Sequence, residues 1–432
     1  MRARNAPMPA PDTAVEITAL SHDGRGIARL AGKAMFIEDA LPGETVRFRI
    51  LKRRREFDEA QVTEVLQPSP QRVEPRCRHY GVCGGCVLQH MSPEGQIAAK
   101  QQMLLDNLER IGDVRPESVA PPLLGPIWGY RRRARFSAHR NSSGKVAVGF
   151  KERHRHRVTD IWQCHVLDPR IGGLMDKLSG LLSALSIADQ VPQVEVAVGE
   201  DDAVLSIRLL VAPSEADFAL ITAFGQEHGF HMQLQGGADD LELHYRLPES
   251  GVDIAFRSAD FIQVNGEVNR KLVELAVAAL DPGPEDDVLD LFAGLGNFTL
   301  PLARKAKTVT GVESEAGMVA RARRNAERNG IANAGFEQAD LFAEKQYGGW
   351  AKRHYAGILL DPPRAGAREI IAQFPRFAAR RVVYVSCHPA TLARDAKLLA
   401  EQGWRLTRAG VLDMFPHTAH VESMAVFDRS GA

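Results

Sequence analysis

Apolar and polar residues alternate in short runs over residues 15–20, 26–30, 34–37, 45–51 and 59–65, with His22-Asp23-Gly24, Ala31-Gly32-Lys33 and Leu41-Pro42-Gly43 as turn signals among them. Five short strands at this spacing predict a small β-barrel over residues 14–69. Ser92-Pro93-Glu94 then supplies an N-cap, a first helical residue and a first-turn acid, and Ile97, Leu104, Leu108 and Ile111 follow on one side, which predicts a helix. Between residues 130 and 256 the period changes repeatedly. A hairpin (130–135 with 146–150), helices over 168–185 and 215–228, and strands over 194–198, 203–210, 241–245 and 252–256 read as a mixed α/β central domain, residues 70–260.

From residue 261 to 432 the pattern sharpens. Residues 266–280 read as a helix, Pro282-Gly283-Pro284 breaks it, and Val288-Leu289-Asp290-Leu291 leads as a strand into the turn Phe292-Ala293-Gly294-Leu295-Gly296. Further apolar strands fall at 308–312, 336–338, 357–360 and 382–386. Such alternation predicts a Rossmann-like α/β domain, whose ligands bind beyond the carboxyl ends of parallel strands. Those ends carry Asp290, Glu313, Asp340, Asp361 and Cys387. One acid at a strand end is an ordinary solvated terminus, and free cysteine is often mere filler, but five such ends together outline a crevice. Glu313 is placed to accept from ribose hydroxyls and Asp340 from an adenine amine. Thr299 stands where a third glycine would complete a dinucleotide fingerprint, which favours a single nucleoside such as S-adenosylmethionine over NAD.

Composition changes this picture in three places. The 432 residues exceed one core, and the 54 basic and 54 acidic residues cancel, so only the distribution of charge informs. Arg47, Arg49, Lys52, Arg53, Arg54 and Arg55 occur within residues 46–55 without an acid, and residues 131–157 hold ten basic residues against Glu152 alone. Both runs suggest a surface for a polyanion, and on barrel strands they fit the gripping of an RNA backbone. Residues 1–13 are rich in Pro and Ala and are expected to be a disordered tail; with no apolar stretch of membrane-spanning length, a cytoplasmic protein is expected.

The five cysteines are expected to be ligands, nucleophiles or filler rather than disulfides. Cys77, Cys83 and Cys86 have C-x5-C-x2-C spacing, with Gly81, Gly84 and Gly85 allowing the chain to fold back, which is a metal-ligand pattern. Cys164 is the candidate fourth thiolate if Cys387 is reserved for chemistry. Tetrathiolate coordination suits Zn²⁺ or an iron–sulfur cluster, and spacing does not separate them.

The barrel resembles the TRAM domain, an RNA-binding, OB-like barrel attached to RNA-modifying enzymes. The segments Asp290-Leu-Phe-Ala-Gly-Leu-Gly-Asn297, Asp361-Pro-Pro-Arg364, Ser386-Cys-His-Pro389 and His420-Val-Glu-Ser423 resemble the RNA uracil-5-methyltransferase family. With the cysteine cluster and barrel, the resemblance spans essentially the whole chain and is closest to members acting on 23S rRNA. It implies an S-adenosylmethionine-dependent methyltransferase domain, with cofactor contacts at Gln263, Phe292, Asn297, Glu313, Asp340 and Asp361. It also implies a [4Fe-4S] cluster on Cys77, Cys83, Cys86 and Cys164, Cys387 as nucleophile and Glu422 as general base. His388 departs from the family's usual Asn, so an imidazole is expected either to lower the Cys387 pKa or to alter a hydrogen bond to the uracil.

Uracil C5 is a weak carbon nucleophile, and addition of a thiolate at C6 supplies the electron density that methyl transfer needs. His417 and His420 rival Glu422 as base on chemical grounds, and Phe261 is a candidate to stack on a uridine turned out of the RNA. No obligate protein partner and no membrane are expected. The competing readings are a non-catalytic RNA-binding assembly factor, a uracil-5 methyltransferase with another rRNA or tRNA target, and a cytosine-5 methyltransferase. The last is disfavoured because Arg364 stands where those enzymes carry a cysteine after Asp-Pro-Pro.

Overall fold

The computed structural model describes residues 12–235, 241–343 and 348–429; most of the expected tail, residues 1–11, lies outside the described residues. The chain forms two compact units. The first comprises Met1–Met103, Lys151–Thr159 and Phe415–His420, and the second Leu104–Phe150, Asp160–Met414 and Val421–Ala432.

In the first unit six strands pair in the order Ala14–Glu16, Thr45–Arg53, Phe57–Gln67, Lys33–Glu38, Gly26–Leu30, Ala19–Leu20. Alternate inward positions (Val15, Ile17, Ala28, Met35, Ile37, Val46, Phe48 and Ala60) form its core. The run 15–20, expected as one strand, divides in two. Ile17 N–H donates to Glu44 O (2.9 Å) and Thr18 N–H to Ile27 O (2.8 Å), so the chain steps from one sheet edge to the other and the sheet curls towards closure. Glu44, wholly buried, accepts from Leu41 N (2.8 Å), Ser69 N (3.2 Å) and the Arg72 guanidinium (2.5 Å), and these donors hold its carboxyl below the usual range despite burial.

The second unit holds a five-stranded sheet (His231–Leu234, Ala203–Arg208, Gln193–Val198, Arg133–Arg140, Val146–Gly149), a hairpin (Leu243–Leu247 with Val252–Phe256) and an eight-stranded sheet. The larger sheet runs Ala334–Gln338, Thr308–Glu313, Asp287–Leu291, Gly357–Leu360, Arg381–Ser386, Glu422–Arg429, Trp404–Leu412, Ser118–Val119. Its first five strands are parallel, and Glu422–Arg429 is antiparallel to both neighbours. Runs such as Gly357–Leu360 are buried throughout, as parallel strands covered on both faces must be. From Asp287–Leu291 the chain winds outward on one side and then returns to Gly357–Leu360 on the other, so a topological switch point lies between these two strands. The helix expected over 168–185 is two, Pro169–Gly172 and Met175–Ala184. A β-carbon at Gly172 would stand 2.5 Å from Cys164 O, and a glycine pair is a weak place to continue a helix.

Candidate active site

The switch point positions the site. Past Asp287–Leu291 the chain turns through Phe292 (φ +64°), Gly294 (+56°) and Gly296 (+92°), and a phenylalanine in the left-handed region is held there only by its surroundings. Ala293 N–H is anchored on Val312 O (3.0 Å). The Glu313 carboxylate accepts from Gly294 N (3.1 Å), Ser314 N (2.7 Å) and Glu315 N (3.0 Å), which orients it at the turn. Asp340 accepts from Phe342 N (2.9 Å), and the Phe342 ring lies 5.8 Å from that of Phe292. One expected strand end is corrected. Asp290 does not face a crevice but is wholly buried, with Oδ2 accepting from Thr299 Oγ1 (2.5 Å), and burial pushes its carboxyl up to about 7.

Across the switch point, Gln263 Nε2 donates to Asp361 Oδ2 at 3.2 Å, and desolvation pushes the Asp361 carboxyl up to about 7 against this hydrogen bond. Asn297 is held by the Tyr245 hydroxyl (2.9 Å) and by a reciprocal amide pair with Asn269 (3.0 Å each way).

Cys387 and Glu422 come together through the antiparallel strand. The ladder ends with Ser386 opposite Ser423, and Cys387 and Glu422 are the residues that flank this last pair, near enough for the carboxyl to act on the thiol. Glu422 is 2% exposed, and burial, followed by the charge of Asp361, raises its carboxyl well above the usual range. The Cys387 thiol is pushed up to about 11 by burial, then by Glu422 and Asp361, with Arg364 opposing. These groups therefore form one electrostatic unit, in which any added cation favours ionisation of the acids.

His388 has a structural role that the sequence reading does not name. It is the N-cap of the helix Pro389–Glu401: Nδ1 accepts from Thr391 N (3.3 Å), while its own N–H donates to Ser386 Oγ (3.1 Å). Asparagine, the family's usual residue, is among the best N-caps, so the imidazole here does asparagine's structural work. Of the rival bases, His417 and His420 belong to the first unit. His417 is 4% exposed with its N–H on Gln96 Oε1 (2.7 Å), and the His420 ring packs 5.5 Å from Phe415.

The arginine-rich run is less of a free cationic face than its sequence suggests. Arg135 pairs with Glu195 (2.9 Å), Arg140 with Asp189 (3.0 Å), Lys145 with Asp160 (3.0 Å) and Arg153 with Asp39 (2.8 Å), while Arg132 is buried. Tyr245, Asn269 and Phe342 are site residues that the sequence reading missed; the signal for Asn269 was an amide on the apolar side of the helix Gly266–Leu280.

Cys77, Cys83 and Cys86 lie in the first unit and Cys164 in the second, all of intermediate exposure and none in a disulfide. Among the described residues no group of three or more His, Cys, Asp or Glu side chains is arranged to hold a metal ion, so the expected tetrathiolate is not formed by the side chains as placed. The loop backbone is nonetheless well fixed. Gly84 N–H donates to Lys151 O (2.9 Å), Arg153 Nη2 to Cys86 O (2.8 Å) and Gly85 N–H to Cys83 Sγ (3.4 Å). Burial pushes the Cys83 thiol up, with Gly85 N–H opposing and Cys77 adding to the rise. No helix among the described residues is long and apolar enough to cross a membrane.

Comparison with known proteins agrees with this fold. The family model described as tRNA (uracil-5-)-methyltransferase matches residues 231–430, and the TRAM domain model matches residues 13–63. A 23S rRNA (uracil(1939)-C(5))-methyltransferase RlmD of Stenotrophomonas maltophilia (strain R551-3) is 50% identical over 428 residues, 96% of each chain. The protein of that name from Xanthomonas oryzae pv. oryzae (strain MAFF 311018) is 51% identical over 427 residues, again 96% of each. The solved Pyrococcus abyssi tRNA (uracil-54, C5)-methyltransferase, in complex with S-adenosyl-L-homocysteine, shares the fold with a TM-score of 0.73 at 23% identity, covering 96% of this chain and 100% of its own. The chain belongs to the S-adenosylmethionine-dependent RNA uracil-C5-methyltransferase family.

Proposed function

We propose that this protein methylates C5 of a specific uridine in 23S rRNA through a covalent bond between Cys387 and C6 of the uracil. The observation that carries the reading is the electrostatic proximity of Cys387 and Glu422, which flank the last ladder pair Ser386–Ser423, to Asp361 and its partner Gln263. Cys387 sulfur adds to C6 and moves electron density to C5. Bound S-adenosylmethionine supplies an electrophilic methyl group on a sulfonium whose positive charge also favours ionised Cys387, Glu422 and Asp361. Once C5 carries the methyl group, Glu422 takes the C5 proton, the electron pair re-forms the C5–C6 double bond, and the sulfur–C6 bond breaks. Gln263, Phe292, Asn297, Glu313, Asp340 and Asp361 hold the cofactor in this reading. Phe261, 66% exposed and two residues before Gln263, stacks on the extruded uridine.

The proposed division of labour is an RNA-gripping barrel over 14–69, a central domain over 70–260 and a methyltransferase domain over 261–432. Cys77, Cys83, Cys86 and Cys164 are proposed ligands of a [4Fe-4S] cluster. The soft thiol donors and the Gly85 N–H directed at Cys83 sulfur suit such a group, whose part is to order the basic loop rather than to carry electrons in a redox-neutral transfer. The setting is cytoplasmic, with no obligate protein partner.

The test uses 23S rRNA fragments carrying 5-fluorouridine, in which the C5 substituent cannot leave as a proton. A methylated Cys387–RNA adduct found by mass spectrometry supports the mechanism. Methylation that survives Cys387→Ala sinks it, and transfer to cytidine rather than uridine transcripts reassigns the substrate.

A further inference from the structure

Arg132 comes from the arginine-rich run that reads as an RNA-facing surface, yet it is 8% exposed. Its backbone is pinned on both sides: Arg132 N–H donates to Val264 O (3.0 Å), and Val198 N–H donates to Arg132 O (2.9 Å). Arg132 Nε donates to Gln263 O at 2.9 Å, and the guanidinium carbon lies 4.5 Å from the centre of the Tyr245 ring. Tyr245 in turn donates through its hydroxyl to Asn297 Oδ1 (2.9 Å), while the Gln263 amide donates to Asp361 (3.2 Å). Nη2 is buried without a partner among the described residues. A desolvated cation of this kind is an expensive way to stabilise a fold, because a well-packed apolar side chain commonly does as well.

We propose that Arg132 is a positioning residue for the cofactor site: its guanidinium locks the Gln263 segment and the Tyr245–Asn297 pair into one frame. The inference rests on the cofactor reading above and adds to it one buried link between the two halves of the cradle. Gln263 and Asp361 stand on one side of that cradle, and Asn297 follows the glycine-rich turn on the other. The paired strands Asp287–Leu291 and Gly357–Leu360 and the Asn269–Asn297 amide pair already join the two sides, and the Arg132 guanidinium adds a further link, donating in its own plane while attracted through its face. Lysine has the charge without the fork and cannot do both.

Isothermal titration of the purified full-length protein with S-adenosylhomocysteine tests this, alongside steady-state kinetics and RNA-binding measurements. Arg132→Met is expected to weaken S-adenosylhomocysteine binding and raise the S-adenosylmethionine KM about tenfold, with kcat and RNA affinity changed less than about threefold. Arg132→Lys recovers only part of the loss. Tyr245→Phe, which removes one hydroxyl and keeps the ring, weakens binding severalfold in the native background and adds nothing to Arg132→Met. Unaltered affinity in Tyr245→Phe, or equal losses of cofactor binding, RNA binding and kcat in Arg132→Met, overturns the proposal. If Arg132→Met does not fold, Tyr245→Phe and Arg132→Lys decide it. Wild-type protein that bound no S-adenosylhomocysteine would sink the cofactor reading and this inference with it, whereas normal wild-type binding with unaffected variants sinks the inference alone.

Discussion

Thr391 donates its backbone N–H to Nδ1 of His388 at 3.3 Å, so the residue after Cys387 starts the helix that follows it. His388→Asn keeps a capping acceptor and is expected to leave stability and methylation near those of the native protein. His388→Ala loses the cap and is expected to cost about 1 kcal/mol, read as a lower denaturation midpoint, together with slower alkylation of Cys387 as the first turn frays. Equal behaviour of the two variants would remove the capping role.

Glu422 is placed to act late in the reaction. Glu422→Gln should still form the covalent RNA adduct but resolve it slowly, lowering turnover by roughly 10² to 10⁴ while the adduct accumulates on denaturing gels. Loss of adduct formation itself would instead give Glu422 a part in activating the thiol.

Desolvation raises Asp290 and Asp361 to about 7 in the folded protein, against roughly 3.9 for an unfolded chain. The folded state thus binds protons more tightly. Stability from these groups is fully present below about pH 4 and is lost as pH rises through about 7. Thermal melts of the cofactor-free protein at constant ionic strength should show this decline, and Asp290→Asn should flatten it. Affinity for the cationic cofactor should rise over the same window, and an affinity that fell would contradict the acidic cradle.

Thr299→Val leaves the buried Asp290 carboxyl without its hydroxyl donor. A loss of about 1–3 kcal/mol is expected in urea unfolding, with the glycine-rich turn above it the first region to gain hydrogen exchange.

Protein purified without oxygen should carry iron and sulfide, and Cys83→Ser should lose both along with protection of residues around 151–157 from proteolysis. A zinc-loaded, colourless protein would redirect the metal assignment.

Much of this was legible beforehand because two periodic rules dominate. Alternation along 26–30 and 45–51 revealed barrel strands, and apolar runs ending in Glu313, Asp361 and Cys387 revealed a parallel sheet with chemistry at one edge. What escaped notice depends on long-range placement. Nothing local shows that Tyr245 and Asn269 meet at Asn297, or that Arg132 alone of its arginine run is buried. The capping role of His388 is signalled locally by Pro389 at the first helical position. Splitting of the runs at 15–20 and 168–185 reflects a change of sheet edge and a glycine packed on a carbonyl, neither of which alters hydrophobic period.

The position of Glu422–Arg429 in the large sheet also dictates an order of assembly. This strand is synthesised after Trp404–Leu412, yet it lies between that strand and Arg381–Ser386. Until it inserts, the strand bearing Cys387 has an open edge and the chain holds a thiol without its neighbouring carboxylate. The thiol and its carboxylate therefore meet only once Glu422–Arg429 has been synthesised and has paired with Arg381–Ser386.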